Sequence, residues 1–378
     1  ATSHNVGVHS IIDEVSISTL NGRNMETIRS YNRYVSTTRP FHTASADVTN
    51  GASLYDASFA TKSNSNALVV NQEQSFAIQI RTGLLQNDII PLGEKGLHGM
   101  QITISLAQNS QVLQPFFLYD PAAPTGTAVN AFGAGGNFKY EVFDLALTFD
   151  TLIASSALQA RIPSSGVLAY NSVQTLHSSL LSSDQSINLR FGANAVLSVT
   201  HSMIPSIHLN NIQVDSMRLC EPENGATSTA RGTRAPVTEV HYMKAGRLFP
   251  YDFFLNSETQ ALEQRPPSMI LEPAQNSVSL YDTDDSALSP CTVIGLTSAR
   301  MFLAQNVATP YPTLPDPLSL YILGVPMDSQ RTGVSFKQEQ YNVRIQSSLN
   351  QRSPQSFFTF CTSRNIVSYS PAGIMVVD

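Results

Sequence analysis

The chain has 378 residues, 42% of them apolar and only 13% charged, with a net charge of −6 at pH 7. That length exceeds what one ordinary hydrophobic core fills and favours two domains. No run of lysines or arginines occurs, which excludes tight sequence-independent binding of nucleic acid; a surface so weakly charged suits a protein covered by copies of itself better than a free enzyme.

The predicted elements are mostly strands. Residues 8–20 alternate apolar and polar side chains before an Asn21-Gly22 turn. Residues 25–35 have helical spacing, with Asn24 as cap and Ile28, Tyr31 and Val35 on one side. The Ser-, Thr-, Asn- and Ala-rich stretch 36–66 is expected to be a long loop. A dense block follows, with strands at 76–81 and 100–107 flanking a Gly-Leu-Leu turn and an Ile-Pro-Leu-Gly element. Beyond a Pro/Gly-rich loop at 120–137, residues 140–151 are predicted as a strand whose apolar side is Val142, Leu145, Leu147 and Phe149. Residues 166–180 and 186–191 continue the β pattern, and 193–204 are predicted as a short helix before Pro205.

Composition then shifts. Residues 221–236 (EPENGATSTARGTRAP) lack apolar periodicity and are the expected linker. A second β set begins at 237–250; a short helix is expected at 255–264, and 266–317 is a long loop with few regular signals. The set ends with 318–325, with 333–346, which slips register near Glu339, and with 356–378, expected to give a strand, a turn and a final strand at 374–377. Many short strands with Pro/Gly-punctuated loops and few helices point to all-β sandwiches. The expected organisation is two consecutive antiparallel jelly rolls, 1–220 and 237–378, with short helices and long loops.

Chemistry-bearing patterns are sparse. His98, His177, His201, His208 and His241 form no HExxH or other ligand spacing, and no Gly-x-Ser-x-Gly elbow occurs. Residues 132–137 (FGAGGN) lack the Lys-Ser/Thr of a phosphate loop. Asp282, Asp284 and Asp285 cluster as a calcium loop would, without its turn glycine and terminal glutamate, so a solvated acidic turn is expected. Cys220, Cys291 and Cys361 are too few and too far apart for a disulfide framework and are expected to be small buried hydrophobes. No catalytic, cofactor-binding or metal-binding residue is therefore expected, and no cofactor. The start has no signal-peptide pattern, no apolar run approaches a membrane span, and no Asn-x-Ser/Thr acceptor occurs. A chain made inside a cell and not secreted is expected.

Several segments, in order, resemble the double jelly-roll major capsid proteins of small DNA viruses, in particular the polinton-like, adintovirus and virophage group. They are FAIQIRTGLLQNDIIPLGEKGLHGMQITISLAQN (76–109), IIDEVSISTLNGRNMETIRSYNRY (11–34), YEVFDLALTFDTLI (140–153), HYMKAGRLFPYDFF (241–254) and the closing GVSFKQ…FFTFCTSRNIVSYSPAGIMVVD. The chain departs from that group in being short and in lacking tryptophan. The resemblance implies two eight-stranded jelly rolls per subunit, homotrimers with a pseudo-hexagonal outline, and tiling of an icosahedral DNA-virus capsid. It also implies penton and minor capsid proteins as partners and the virion as location. Phe116-Phe117-Leu118-Tyr119 and Tyr251-Asp252-Phe253-Phe254 are candidate trimer contacts or, equally, packing within their own domain. The alternatives are a viral spike or fibre head, for which no shaft repeat appears, and a β-sandwich hydrolase or carbohydrate-active enzyme.

Overall fold

A computed structural model describes residues 6–38, 75–86, 89–93, 96–112, 139–150, 165–211, 222–228, 232–235, 237–249, 323–327, 333–337, 339–370 and 373–377, with 117–118, 129–130, 216–217 and a few single positions. After a 3-10 turn at Gly7–Ile11, β1 (Ile12–Thr19) turns at Gly22, whose φ of 78° no other residue adopts as cheaply, into β2 (Asn24–Ile28). Ser30, at φ 50°, then starts α1 (Tyr31–Thr38). The helix expected over 25–35 is thus a strand followed by a helix. Met25, Glu26 and Ile28 are buried by pairing with β1, and the left-handed Ser30 breaks the apparent period.

β3 (Met100–Leu106) completes a three-stranded antiparallel sheet in the order β2-β1-β3. A helical turn, α2 (Asn109–Val112), follows, and the short strands β4 (Phe117–Leu118) and β5 (Val129–Asn130) pair with each other. Next come β6 (Gly166–Leu180), β7 (Asp184–Leu189) and β8 (Val196–Pro205). β8 falls where a helix was expected. All ten of its residues are buried, and a strand covered on both faces loses the alternation by which strands are recognised.

Within the stretch read as a linker, β9 (Glu223–Asn224) and β10 (Thr233–Arg234) form a small hairpin. Gln355 Nε2 donates to the Glu223 carbonyl at 2.9 Å and Ser353 Oγ accepts from Gly225 N–H at 2.8 Å, so this hairpin is tied to the strand that follows residue 354. β11 (Val237–Lys244) turns through Ala245 and Gly246, both left-handed as a tight hairpin requires, into β12 (Arg247–Leu248). The last strands are β13 (Leu323–Pro326), β14 (Tyr341–Ser347), β15 (Gln355–Ser370) and β16 (Gly373–Val377). The expected helix at 255–264 and the long loop at 266–317 lie outside the described residues.

β15 organises the molecule. Along one edge it pairs with β6 from Gln355 to Tyr369; along the other it pairs first with β8 and then with β16. β13 extends this sheet beyond β8, and a separate four-stranded sheet runs β12-β11-β14-β7. β14 pairs with β7, and β15 with β6 and β8, so strands on the two sides of 221–236 share both sheets.

Successive side chains of β15 point to opposite faces, and each face builds a core. Phe357 and Cys361 join Val199, Met203, Val240, Tyr242, Val343 and Ile345 in core one, against the four-stranded sheet. Phe358 and Phe360 join Val15, Ile17, Ile28, Tyr31, Tyr34 and Tyr170 in core two, against the three-stranded sheet and α1. A register shift against β8 at Thr362/Ser363 changes the parity, and beyond it Val367 faces core two.

Candidate functional site

The five histidines singled out in the sequence do not converge. His98 is an exposed left-handed turn residue at φ 54°. His177 stacks on Phe358 at 4.6 Å, and its pKa is lowered by burial and by nearby Arg33. His208 Nε2 lies 2.7 Å from the Thr227 carbonyl, and His241 Nε2 lies 3.0 Å from Glu239 Oε2. His201 is sealed into core one: its ring stacks on Phe357 at 4.8 Å and on Tyr242 at 5.6 Å, and its Nδ1 lies 2.9 Å from Thr359 Oγ1. Among the described residues its Nε2 and the Tyr242 hydroxyl have no hydrogen-bond partner, and burial pulls the imidazole pKa down to about 3. Such a ring is neutral at any physiological pH and shielded from substrate.

Among the described residues no three His, Cys, Asp or Glu side chains are grouped as metal ligands. Asp282, Asp284, Asp285, Cys220, Cys291 and residues 132–137 lie outside the described residues. So do 251–254, Phe116 and Tyr119, while for Phe117 and Leu118 only the backbone pairing is described. Cys361 packs in core one, where burial raises its thiol pKa and leaves it inert.

Sequence reading missed Glu26, a carboxyl group with 2% of its surface exposed. Its Oε1 accepts from Gly83 N–H at 3.1 Å and Val173 N–H at 3.4 Å, and its Oε2 from Leu84 N–H at 3.0 Å. Burial nevertheless pushes its pKa up to about 7, against the lowering effect of those three donors. The carboxyl pins the 83–84 turn to β2 and β6. Gly83 permits this approach, because a Cβ there would lie 1.6 Å from the Asn171 carbonyl oxygen. A carboxyl that accepts from three backbone donors is a structural clasp.

The accessible feature of the molecule is apolar. Among the described residues, 139–150 belong to no strand or helix, and Val142, Phe143, Leu145, Leu147 and Phe149 are 40–77% exposed. This is the segment predicted as a strand; over 140–150 the structure forms none, and the left-handed Asp144, at φ 54°, breaks the run. A second exposed group, Val167, Ile366 and Met375, lies on the distal end of the β15 sheet. Soluble monomers rarely expose apolar residues contiguously, and such patches mark surfaces that other molecules cover.

No protein-family model and no curated protein matches the sequence. Solved structures do match. The chain is similar to the Faustovirus major capsid protein with a TM-score of 0.54 at 11% identity, over 98% of this chain and 73% of that one. It is similar to the PBCV-1 virus capsid, in a quasi-atomic model, with a TM-score of 0.53 at 9% identity, over 100% of this chain and 85% of that one. The chain therefore has the all-β, antiparallel double jelly-roll fold of viral major capsid proteins.

Proposed function

We propose that the protein is a major capsid protein that assembles as homotrimeric, pseudo-hexameric capsomers tiling an icosahedral DNA-virus shell. The observation that carries this reading is a likeness to two capsid structures that runs through 98–100% of the chain. Low charge and exposed apolar segments support it, because a shell subunit loses most of its lateral surface to neighbours. Stable assemblies of this kind bury roughly 2,000–5,000 Å² per interface and are apolar at the centre. Its role is structural, without catalysis, metal or cofactor. Its location is the virion after synthesis inside the host cell, with penton and minor capsid proteins as further partners.

The division of the chain into rolls at 221–236 belongs to the same proposal. Limited proteolysis within that stretch is expected to give two fragments that stay together under native conditions, since β14 pairs with β7 and β15 with β6 and β8. For the function itself, negative-stain microscopy of purified protein is expected to show hexagonal outlines of about 70–80 Å, the span of six packed sandwiches. Isolated single particles at micromolar concentration, with a monomeric mass by native mass spectrometry, overturn it.

A further inference from the structure

We propose that Asn21 is a modification site: in the folded protein water converts its side-chain amide, by way of the Gly22 nitrogen, to aspartate and isoaspartate.

The chain has three Asn-Gly pairs, at 21–22, 50–51 and 224–225, and the second lies outside the described residues. A glycine after asparagine leaves its nitrogen unshielded, because it carries no Cβ. That nitrogen attacks the side-chain carbonyl carbon of the asparagine and gives its proton to solvent. Ammonia leaves as the new C–N bond closes a cyclic imide. Water then adds to one of the two imide carbonyls, and the C–N bond to that carbonyl breaks. Cleavage on the side-chain side restores the backbone as aspartate; cleavage on the main-chain side routes the backbone through the side-chain carbon, as isoaspartate.

The backbone at glycine treats the two described pairs alike. Gly22 and Gly225 are both left-handed, at φ 78° and 66°, and nothing lies within 4 Å of a Cβ placed on either. Their hydrogen bonds separate them. The Asn224 amide is held at both ends: Nδ2 donates to the Ser348 carbonyl at 3.0 Å, and Oδ1 accepts from Asn350 N–H at 2.6 Å. Gly225 N–H donates to Ser353 Oγ at 2.8 Å, and Asn224 pairs with Thr233 across β9 and β10. To react, that amide has to leave two partners and the nitrogen a third, and each slows the reaction by about two- to tenfold. Asn21 and Gly22 are both exposed, and among the described residues no hydrogen bond holds the Asn21 side chain. One bond has to open first, from Gly22 N–H to the Thr19 carbonyl at 2.9 Å.

The products bear on the fold because this turn is closed to length. Thr19 N–H donates to the Arg23 carbonyl at 2.9 Å, and the Arg23 guanidinium donates to the Ile374 carbonyl of β16. An isoaspartate lengthens the backbone inside that closure, and either product adds a negative charge to a chain of net charge −6.

Incubation of the intact chain at mildly alkaline pH, followed by a tryptic digest, tests this. Residues 1–23 and 219–231 are separate tryptic peptides that carry one described pair each. Mass spectrometry is expected to show the gain of OH for NH2 at Asn21 at least about tenfold faster than at Asn224, with two isomeric products separable by chromatography. In urea, where neither pair keeps its partners, the two are expected to react at rates within about twofold of each other. Asn21→Ser is expected to abolish the gain in 1–23, which also contains Asn5, and to leave 219–231 unchanged. Equal rates at the two pairs in the native protein, or a native Asn21 that stays intact while the urea sample reacts, overturn the proposal. So does a rate difference that persists in urea, or a gain in 1–23 that survives Asn21→Ser.

Discussion

The two faces of β15 solve the same burial problem in different ways. Core one is closed by a complete four-stranded sheet and is dry enough to hold a neutral imidazole, His201, with an unpartnered nitrogen. Core two is closed by three strands, α1 and an irregular turn, and several of its apolar residues, among them Ile78, Ile80, Met100 and Ile102, are only partly covered. It holds a carboxyl group, Glu26, which the backbone donors of the turn satisfy. A regular sheet has no spare N–H groups inside, so it excludes an acid; an irregular cover supplies them but leaves its edge unfinished.

The largest expected effect lies at the turn over core two. Gly83→Ala puts a Cβ against the Asn171 backbone, which cannot move without breaking the β6–β15 ladder. A loss above about 4 kcal/mol in chemical denaturation is expected, or no folded protein. Phe357→Ala and Phe360→Ala, each fully buried on opposite faces, are expected to cost about 3–5 kcal/mol apiece. Because β15 serves both cores, each variant should shift one common transition, seen alike by fluorescence and circular dichroism. Separate transitions for the two cores break the comparison.

The buried titratable groups sharpen it, since their pH dependences have opposite signs. Glu26 is raised in the folded state from 4.5 to about 7, so the native protein keeps a proton that the unfolded chain releases. Its contribution is full below pH 4.5 and is lost as pH climbs to about 7, a change on the order of 3 kcal/mol. His201 is lowered from 6.5 to about 3, so its contribution is full above pH 6.5 and is lost as pH falls toward 3. Between pH 4.5 and 6.5 the two slopes oppose each other, and the parent's stability should be nearly flat there. Glu26→Gln is expected to uncover stability that rises with pH in that window, and His201→Leu stability that falls; urea titrations across pH check both. The smallest effect is that of Thr359→Val, which leaves His201 Nδ1 without its partner at a cost of about 1–3 kcal/mol. It should move core one without altering the pH response carried by Glu26.

Legibility followed burial. β1, β3, β6, β11 and β14 each have a wet side, and their alternation placed them in the sequence to within a few residues. β8 has no wet side, and its ten buried residues were read as a helix. β2 and α1 merged into one apparent helix because Ile28, Tyr31 and Val35 happen to fall at helical spacing, and the left-handed Ser30 between them leaves no mark in composition. Of the candidate site, the apolar side chains of 140–151 were visible in the sequence as a strand, although the structure forms no strand over 140–150. Glu26 was invisible as a clasp, because its three donors come from residues 57 to 147 positions away.

By itself the sequence determined the strand-rich class, the weakly charged surface and the apolar side of each one-faced strand, since each depends only on composition and neighbours within a few residues. Only the tertiary structure decided that β15 would carry a core on each face and that β14 and β7 would pair across 221–236. Those outcomes depend on which strand edges meet after long loops close. Edge matching is set by backbone hydrogen bonds, which are the same for every residue type and so leave no trace in the side-chain pattern.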